Sequence, residues 1–502
     1  MKKSSIAIAV VAALAVGYPA SAWFTGQRLE AKLNKADKKD PLLSNFKVVS
    51  QTYKRGIFTS TQEQTYELNL AAALPGVPLP GMTSSFQENA EAQAETPAMP
   101  AEQMEEINKL SKPIQIRVIN HITHGPVPGM FGVAAGKVST ELVLDPAAVA
   151  EIKKLFGDKK FLEITTILNY GGGGTLKLNS PAFSTTVPGA TPTKVDWKGV
   201  KMEVGFDEDY NKLSFDMTAP GLDGADTNGA ANFKMGEIKL KGDAQRIIPG
   251  GMIFVGKSKA SIAAIDFSTQ AGEGFNVKDI SIESDSSHKN DLLDMALKFG
   301  IAGIKVKDVE LNNFHYDYSV KNIHAPTLNK LAVEFSAVSK SGNPGAQVMA
   351  FESLWKKYAM DFLKYDPTIS LDRLSISGKG GEFKTSAKVK LPGVTEADFA
   401  NMNMLMNKVE ADMDVSLADP LIEEVINLTQ KDPNARSMML SGAKASIGAM
   451  EGQGYILRKD KTLSSQIVWK NGKLTINGKA YPPAMAGAPA MPEGELPPPV
   501  PE

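Results

Sequence analysis

The stretch Glu382-Phe383-Lys384-Thr385-Ser386-Ala387-Lys388-Val389-Lys390-Leu391 decides how this chain is read. Phe383, Ala387, Val389 and Leu391 share one parity, and Glu382, Lys384, Lys388 and Lys390 share the other. Side chains of a strand point alternately to its two faces, so this segment is a strand with one apolar face and one wet face. The same grammar recurs outward from it. Toward the N-terminus it appears in Ile280 to Glu283, Glu237 to Lys241, and the pair Met202–Phe206 and Leu213–Met217 around a turn at Asp207 to Asn211. Further strands are expected at Ile114–Val118 and at Phe46–Tyr53 and Ile57–Leu70, the last two around the turn Lys54-Arg55-Gly56. Toward the C-terminus, Ile467–Trp469 and Leu474–Asn477 flank Asn471-Gly472, a strong hairpin signal.

Helical spacing interrupts the strands at Pro146–Phe156, Lys289–Phe299, Pro326–Val338, Pro344–Tyr365, Glu396–Met413 and Pro420–Leu428. In the longest, Val348, Phe351, Trp355, Tyr358 and Phe362 form one apolar face, suited to packing on a sheet or to dimerisation. Most strands are joined by short turns rather than by helices, which favours antiparallel pairing. The expected class is α+β and β-rich, with large antiparallel curved sheets, helices packed on one side, and an N-terminal membrane helix or signal.

The 502 residues exceed what one core serves, so several units are expected. These are a segment 1–24, a β-rich region 25–285, an α+β region 286–480 and a Pro/Ala-rich disordered tail 481–502. A low-complexity surface insert, 71–112, interrupts the second, with a short helix near Ala101 to Leu110.

Lys2 and Lys3 precede the apolar run Ile6–Val16, followed by Pro19 and Ala20-Ser21-Ala22, the pattern of an export signal. It is cleaved after Ala22 or kept as an anchor. Trp23 and Phe24 suit a membrane interface and Pro19 suits a cleaved signal, so these residues leave both outcomes open. Both place the rest of the chain outside the cytoplasm. Thr25 to Lys38 continues as a short amphipathic helix with Leu29 and Leu33 on one face. After Phe24 no apolar run reaches the roughly 20 residues that span a bilayer.

Lys plus Arg number 55 and Asp plus Glu 56, interspersed, so no basic stripe exists for nucleic acid. With no cysteine, thiol catalysis and thiolate metal sites are excluded. His121 and His124 lie three apart in a strand and point to opposite faces, so they do not converge on a metal. His315 belongs to a solvated face with Asp317, and His288 and His324 have no patterned partners. Asp223–Gly229 fails the calcium-loop pattern at both ends and reads as a turn-rich loop. Gly171–Gly174 lacks the Lys-Ser/Thr of a phosphate loop and reads as a turn. The adjacent pairs Glu105/Glu106 and Glu423/Glu424 point apart on helices as solvated faces. No catalytic, cofactor or metal site emerges.

Four stretches together resemble one family. Ala22-Trp23-Phe24-Thr25-Gly26, Tyr53-Lys54-Arg55-Gly56-Ile57-Phe58-Thr59-Ser60, His124-Gly125-Pro126-Val127-Pro128 and the closing hairpin Leu463 to Gly478 are similar, in this order, to the signatures of the YdgA-like family of Gram-negative envelope proteins. The resemblance implies a β-rich periplasmic protein held at the inner membrane, self-association as a homodimer, and no established catalysis. The 71–112 insert departs from the pattern. Because the first motif crosses Ala22, the resemblance favours retention of the anchor over cleavage.

The shared motifs have a structural reading: Arg55-Gly56 as a turn with positive φ, and His124-Gly-Pro-Val-Pro as a rigid strand exit with His124 capping it. The other reading makes Tyr53, Arg55, Gly56, Phe58, His124, Gly125, Pro126 and Pro128 an interaction site. Two functions are expected on this basis. One is a non-enzymatic envelope protein acting by interaction or scaffolding, and the other is lipid binding or transfer in an apolar groove of a curved sheet.

Overall fold

The structure is a computed structural model; it describes residues 21–28, 30–31, 46–68, 114–125, 127–128, 133–144, 146–187, 191–307, 309–339, 344–430 and 432–481. The expected leader up to residue 20, the insert 71–112 with its helix and Glu105/Glu106, and the tail from 482 lie outside the described residues. The chain forms two compact units, dividing between Tyr365 and Asp366. Residue 285, where a region boundary was expected, lies within a strand of the first unit.

The first unit holds β1 (Phe46–Arg55), β2 (Thr59–Leu68), β3 (Ile114–His124), β4 (Gly136–Val143), β5 (Glu163–Leu168), β6 (Gly174–Ser180), β7 (Phe183–Val187), β8 (Thr193–Trp197), β9 (Val200–Phe206), β10 (Lys212–Ala219), β11 (Leu222–Asp226), β12 (Ala231–Met235), β13 (Ile238–Arg246), β14 (Phe254–Thr269), β15 (Gly274–Lys289), β16 (Leu292–Val306) and β17 (Val309–His324). They form a large open antiparallel sheet in the order β1-β2-β3-β4-β5-β6-β9-β10-β13-β14-β15-β16-β17. A second ladder, β7-β8-β11-β12, joins the far half of β14. Thus β6 with β7, β9 with β8, β10 with β11 and β13 with β12 are halves of long strands, each interrupted at a common crease.

The crease has a stereochemical cause. Gly199 and Gly221 sit on it at φ +90 and +127. A Cβ on Gly221 would collide with the Met235 carbonyl oxygen, so only glycine fits there. In the longer strands the crease passes through Ala263, Asp279, Ala302 and Asn313, which drop out of the ladder; Asp279 and Asn313 take φ +49 and +52. Skipping one residue reverses the alternation. Ile280 and Ile282 therefore share a face with Val277 and Phe275, although sequence parity separates them.

The sheet corrects two expectations. Lys289–Phe299 is not a helix: Asn290 and Asp291, both at positive φ, make the two-residue turn from β15 into β16. Leu292, Leu293, Ala296 and Phe299 satisfy helical spacing, but this turn and the flanking strands override it. Asp223–Gly229 is partly strand, since β11 runs to Asp226 before the turn. The helices do not lie across one side of the first sheet either. α1 (Pro146–Phe156) meets β7, while α2 (Ala325–Ser339) and α3 (Pro344–Leu363) pack together and meet β17. Leu354, Tyr358 and Phe362 of α3 are buried against Ile323, Leu328, Leu331 and Phe335. Trp355, expected on that seam, is instead 45% exposed and stacks on Phe362. The spacing i, i+4, i+8 from Leu354 is the stripe that α2 covers.

In the second unit, β18 (Thr368–Gly378), β19 (Gly381–Lys390), β20 (Glu410–Ala418) and β22 (Thr462–Lys470) pair antiparallel in that order. β21 (Leu457–Lys459) and β23 (Lys473–Ile476) share the far edge of β22, and β24 (Lys479–Tyr481) follows β23. β19, whose alternation is the clearest in the sequence, is interior to its sheet, with Thr385 buried between β18 and β20. Glu396–Met413 proves shorter in helix than expected: α4 (Glu396–Phe399) and α5 (Met402–Lys408), separated by the N-cap Asn401, precede β20. α6 (Asp419–Thr429) packs on β19 and β20. Its Glu424 is no idle solvated acid, because it accepts the backbone N–H groups of Lys379 (3.2 Å) and Gly380 (2.5 Å) at the β18–β19 turn. α7 (Pro433–Gln453) has no apolar stripe and buries no residue, but its ends carry readable signals, the N-cap Asp432 with Pro433 and a left-handed Gly454.

Candidate functional site

The candidate interaction residues converge at one end of the first sheet, around the helical residues 21–28. His124, at the end of β3, is buried; its Nδ1 lies 2.8 Å from the Ala22 carbonyl oxygen, and its Nε2 3.0 Å from Ser60 Oγ on β2. A neutral imidazole protonated at Nδ1 satisfies both, donating to Ala22 and accepting from Ser60. Gly26 lies on the ring, and a Cβ there would approach Cε1 to 2.6 Å. Arg55, ending β1, donates to Glu30 Oε2 at 2.9 Å and lies over the Trp23 ring at 5.3 Å. Tyr53 is placed beside Ser60, its buried hydroxyl without a well-formed hydrogen bond, and burial raises its pKa. These contacts clamp the N-terminal helix to β1, β2 and β3.

Gly56 is needed for a reason other than the one expected. Its φ is not positive; rather, its N–H donates to the Thr59 carbonyl at 2.8 Å and a Cβ would meet that oxygen at 2.7 Å. Gly125 uses the positive φ, +130, at the strand exit, where Pro128 is buried; Pro126 lies outside the described residues. Phe58 is exposed beside the turn, and its carbonyl accepts the His124 N–H. His121 faces the opposite way from His124, exposed and 3.5 Å from Glu141. His324, which lacked a partner in sequence, stacks on Tyr365 at 4.3 Å and meets Thr327 Oγ1 at 2.8 Å.

Burial, foremost, lowers the His124 pKa below the ordinary 6.5, and the nearby Arg55 charge acts in the same direction. The docked ring refuses a proton that the undocked chain accepts. Docking is therefore fully stabilised above pH 6.5 and weakens as pH falls through the lowered value. Hydrogen-exchange protection of residues 22–28 is expected to hold above pH 6.5 and to drop as pH falls below it. In His124→Asn it should be low and insensitive to pH; an unchanged pH dependence there would assign the effect to another group.

A second feature spans the sheet. Phe183, Trp197, Leu222, Met235, Ile265, Val277, Ile304 and Leu311 stand directly opposite one another across eight strands. Beyond the crease, Leu178, Met202, Met217, Leu240, Ala260, Ile282, Phe299 and Tyr316 do the same. The skipped residues at the crease keep both rows on one face. Every one of these side chains remains half-buried or exposed, whereas a covered sheet face would bury them. The opposite face is fully ionic along the row Lys177, Glu203, Asp216, Lys241, Lys259, Glu283, Lys298 and Asp317, with ion pairs Lys177–Glu203 at 3.2 Å and Lys259–Glu283 at 2.7 Å. Eight strands span roughly 35 Å across. Apolar faces of such extent are commonly where soluble proteins bind partners or ligands. Sequence inspection finds each strand's alternation but not the alignment of the rows, which depends on register.

Among the described residues no group of three His, Asp or Glu is placed to hold a metal, and no helix is long and apolar enough to cross a membrane. No solved structure matches the chain. It is 21% identical to Protein YdgA of Escherichia coli (strain K12), over 95% of each chain. Residues 1–484 match the family described as "Bacterial protein of unknown function (DUF945)". The chain belongs to that family.

Proposed function

We propose that this protein is a non-enzymatic envelope protein, tethered to the inner membrane by its N-terminal segment and facing the periplasm, that holds lipid acyl chains on the apolar face of its first sheet. The observation that carries this reading is the pair of apolar rows, half-exposed across eight strands and backed by a wholly charged row. Wetting such a face is unfavourable, and acyl chains relieve it without requiring any polar recognition. The apolar run Ile6–Val16 after Lys2 and Lys3 supports the tether. A second reading, homodimerisation or scaffolding, draws on the exposed Trp355 and Met349 of α3.

The test uses the full chain in living cells. A photoreactive phenylalanine analogue replaces Phe215 on the apolar face or Lys241 on the charged face, and phospholipids carry radioactive phosphate. A labelled lipid adduct at 215 and none at 241 is the expected result. Equal labelling, or none at either position, would overturn the lipid reading, and protein-sized adducts at 215 would replace it with scaffolding.

A further inference from the structure

The turns of the first sheet alternate between two ends. The β1–β2 turn, the exit of β3 and the helical residues 21–28 share one of them, and there the large apolar side chains point outward: Ile57 is 54% exposed, Phe24 51%, Trp23 45% and Phe58 41%. Scattered exposed apolar residues are ordinary, but these belong to two segments clamped together through Arg55, which bridges Trp23 and Glu30. Basic groups flank them, with Lys54 exposed at the end of β1 beside the turn and the Arg28 guanidinium 4.5 Å above the Phe24 ring. Aromatic and aliphatic side chains rimmed by Lys and Arg are the composition of a surface that enters the headgroup layer.

Chain connectivity indicates what covers this patch. Only four residues, Gly17 to Ala20, lie between Val16, the end of the apolar run, and residue 21, which limits the gap to about 17 Å of extended chain. We propose that the β1–β2 tip, together with Trp23 and Phe24, inserts into the interface of the lipid bilayer as a second membrane contact. The clamp on His124 then fixes the angle at which the sheet stands on the membrane. This rests on the tether of the proposed function. A turn tip that projects past its ladder beside a helix suits a deformable lipid surface better than a protein groove, and the clamp holds both segments at one level.

The chain has no cysteine, so single labels can be introduced without removing native residues. Ile57→Cys, Ala271→Cys in the β14–β15 turn at the other end of the strands, and Ala13→Cys in the apolar run are each labelled with an environment-sensitive fluorophore. The full chain is reconstituted into phosphatidylethanolamine and phosphatidylglycerol vesicles containing a shallow or a deep doxyl-labelled phospholipid. The expected result is blue-shifted emission at 57, quenched several-fold more by the shallow lipid, while the label at 271 stays water-like and unquenched. Quenching at 13 with water-like emission at 57 overturns the second contact and leaves the tether intact. An apolar but doxyl-insensitive environment at 57 overturns it in favour of a second copy of the chain. Absence of quenching at both 13 and 57 overturns tether and contact together.

Discussion

Gly221→Ala is expected to destabilise the first unit by about 3 kcal/mol or more, combining strain at positive φ with a forced backbone contact. Gly221 has φ +127, and the new Cβ would overlap the Met235 carbonyl oxygen. Neither side yields easily. The Gly221 carbonyl accepts the Lys198 N–H at 3.1 Å, and next to Met235 the Gly236 N–H donates to Ala264 at 2.8 Å, so relief would tear the crease along several strands. Gly229→Ala provides the contrast. Its φ is +73, but its nearest neighbour is the Gln270 amide nitrogen at 3.3 Å, the end of a flexible side chain. Its cost is expected to be about 1 kcal/mol. Denaturant titration of both full-length variants measures the difference, and equal midpoints would show that the crease is not a fixed element.

Phe233→Asp is expected to reduce the lipid adduct formed by a probe at Phe215 by about tenfold or more, because a carboxylate on the apolar face cannot be covered by acyl chains without losing its water. Phe233 stands between Gly224 and Phe267 in its row and is only half-buried, so in the unliganded protein the carboxylate remains hydrated. The stability cost should accordingly stay near about 1–2 kcal/mol. Lys241→Gln, on the charged face, should leave the adduct unchanged. If both substitutions reduced it equally, lipid association would be a property of the whole surface rather than of the apolar rows.

Much of the architecture is readable from local pattern. The alternation in β19, the Asn471-Gly472 turn and the hairpin of β9 and β10 need nothing beyond a few neighbouring residues, because the period of a strand and the φ demanded by a tight turn are local properties. Helical spacing works for α2 and α3 and fails for β16, where Leu292, Leu293 and Phe299 fit either period and the Asn290-Asp291 turn decides between them. α7 escapes a periodicity reading because it has no apolar stripe, although its caps are visible.

The candidate site divides along the same line. The sequence by itself determined which residues cluster in motifs, that a turn falls at Arg55-Gly56, and that His121 and His124 face apart. Only the tertiary structure joined His124 to Ala22, 102 positions away, and laid Gly26 against its ring. It alone also aligned eight separately alternating strands into continuous apolar rows, since register between strands and the one-residue skips at the crease are set by pairing across the sheet, which no single strand encodes.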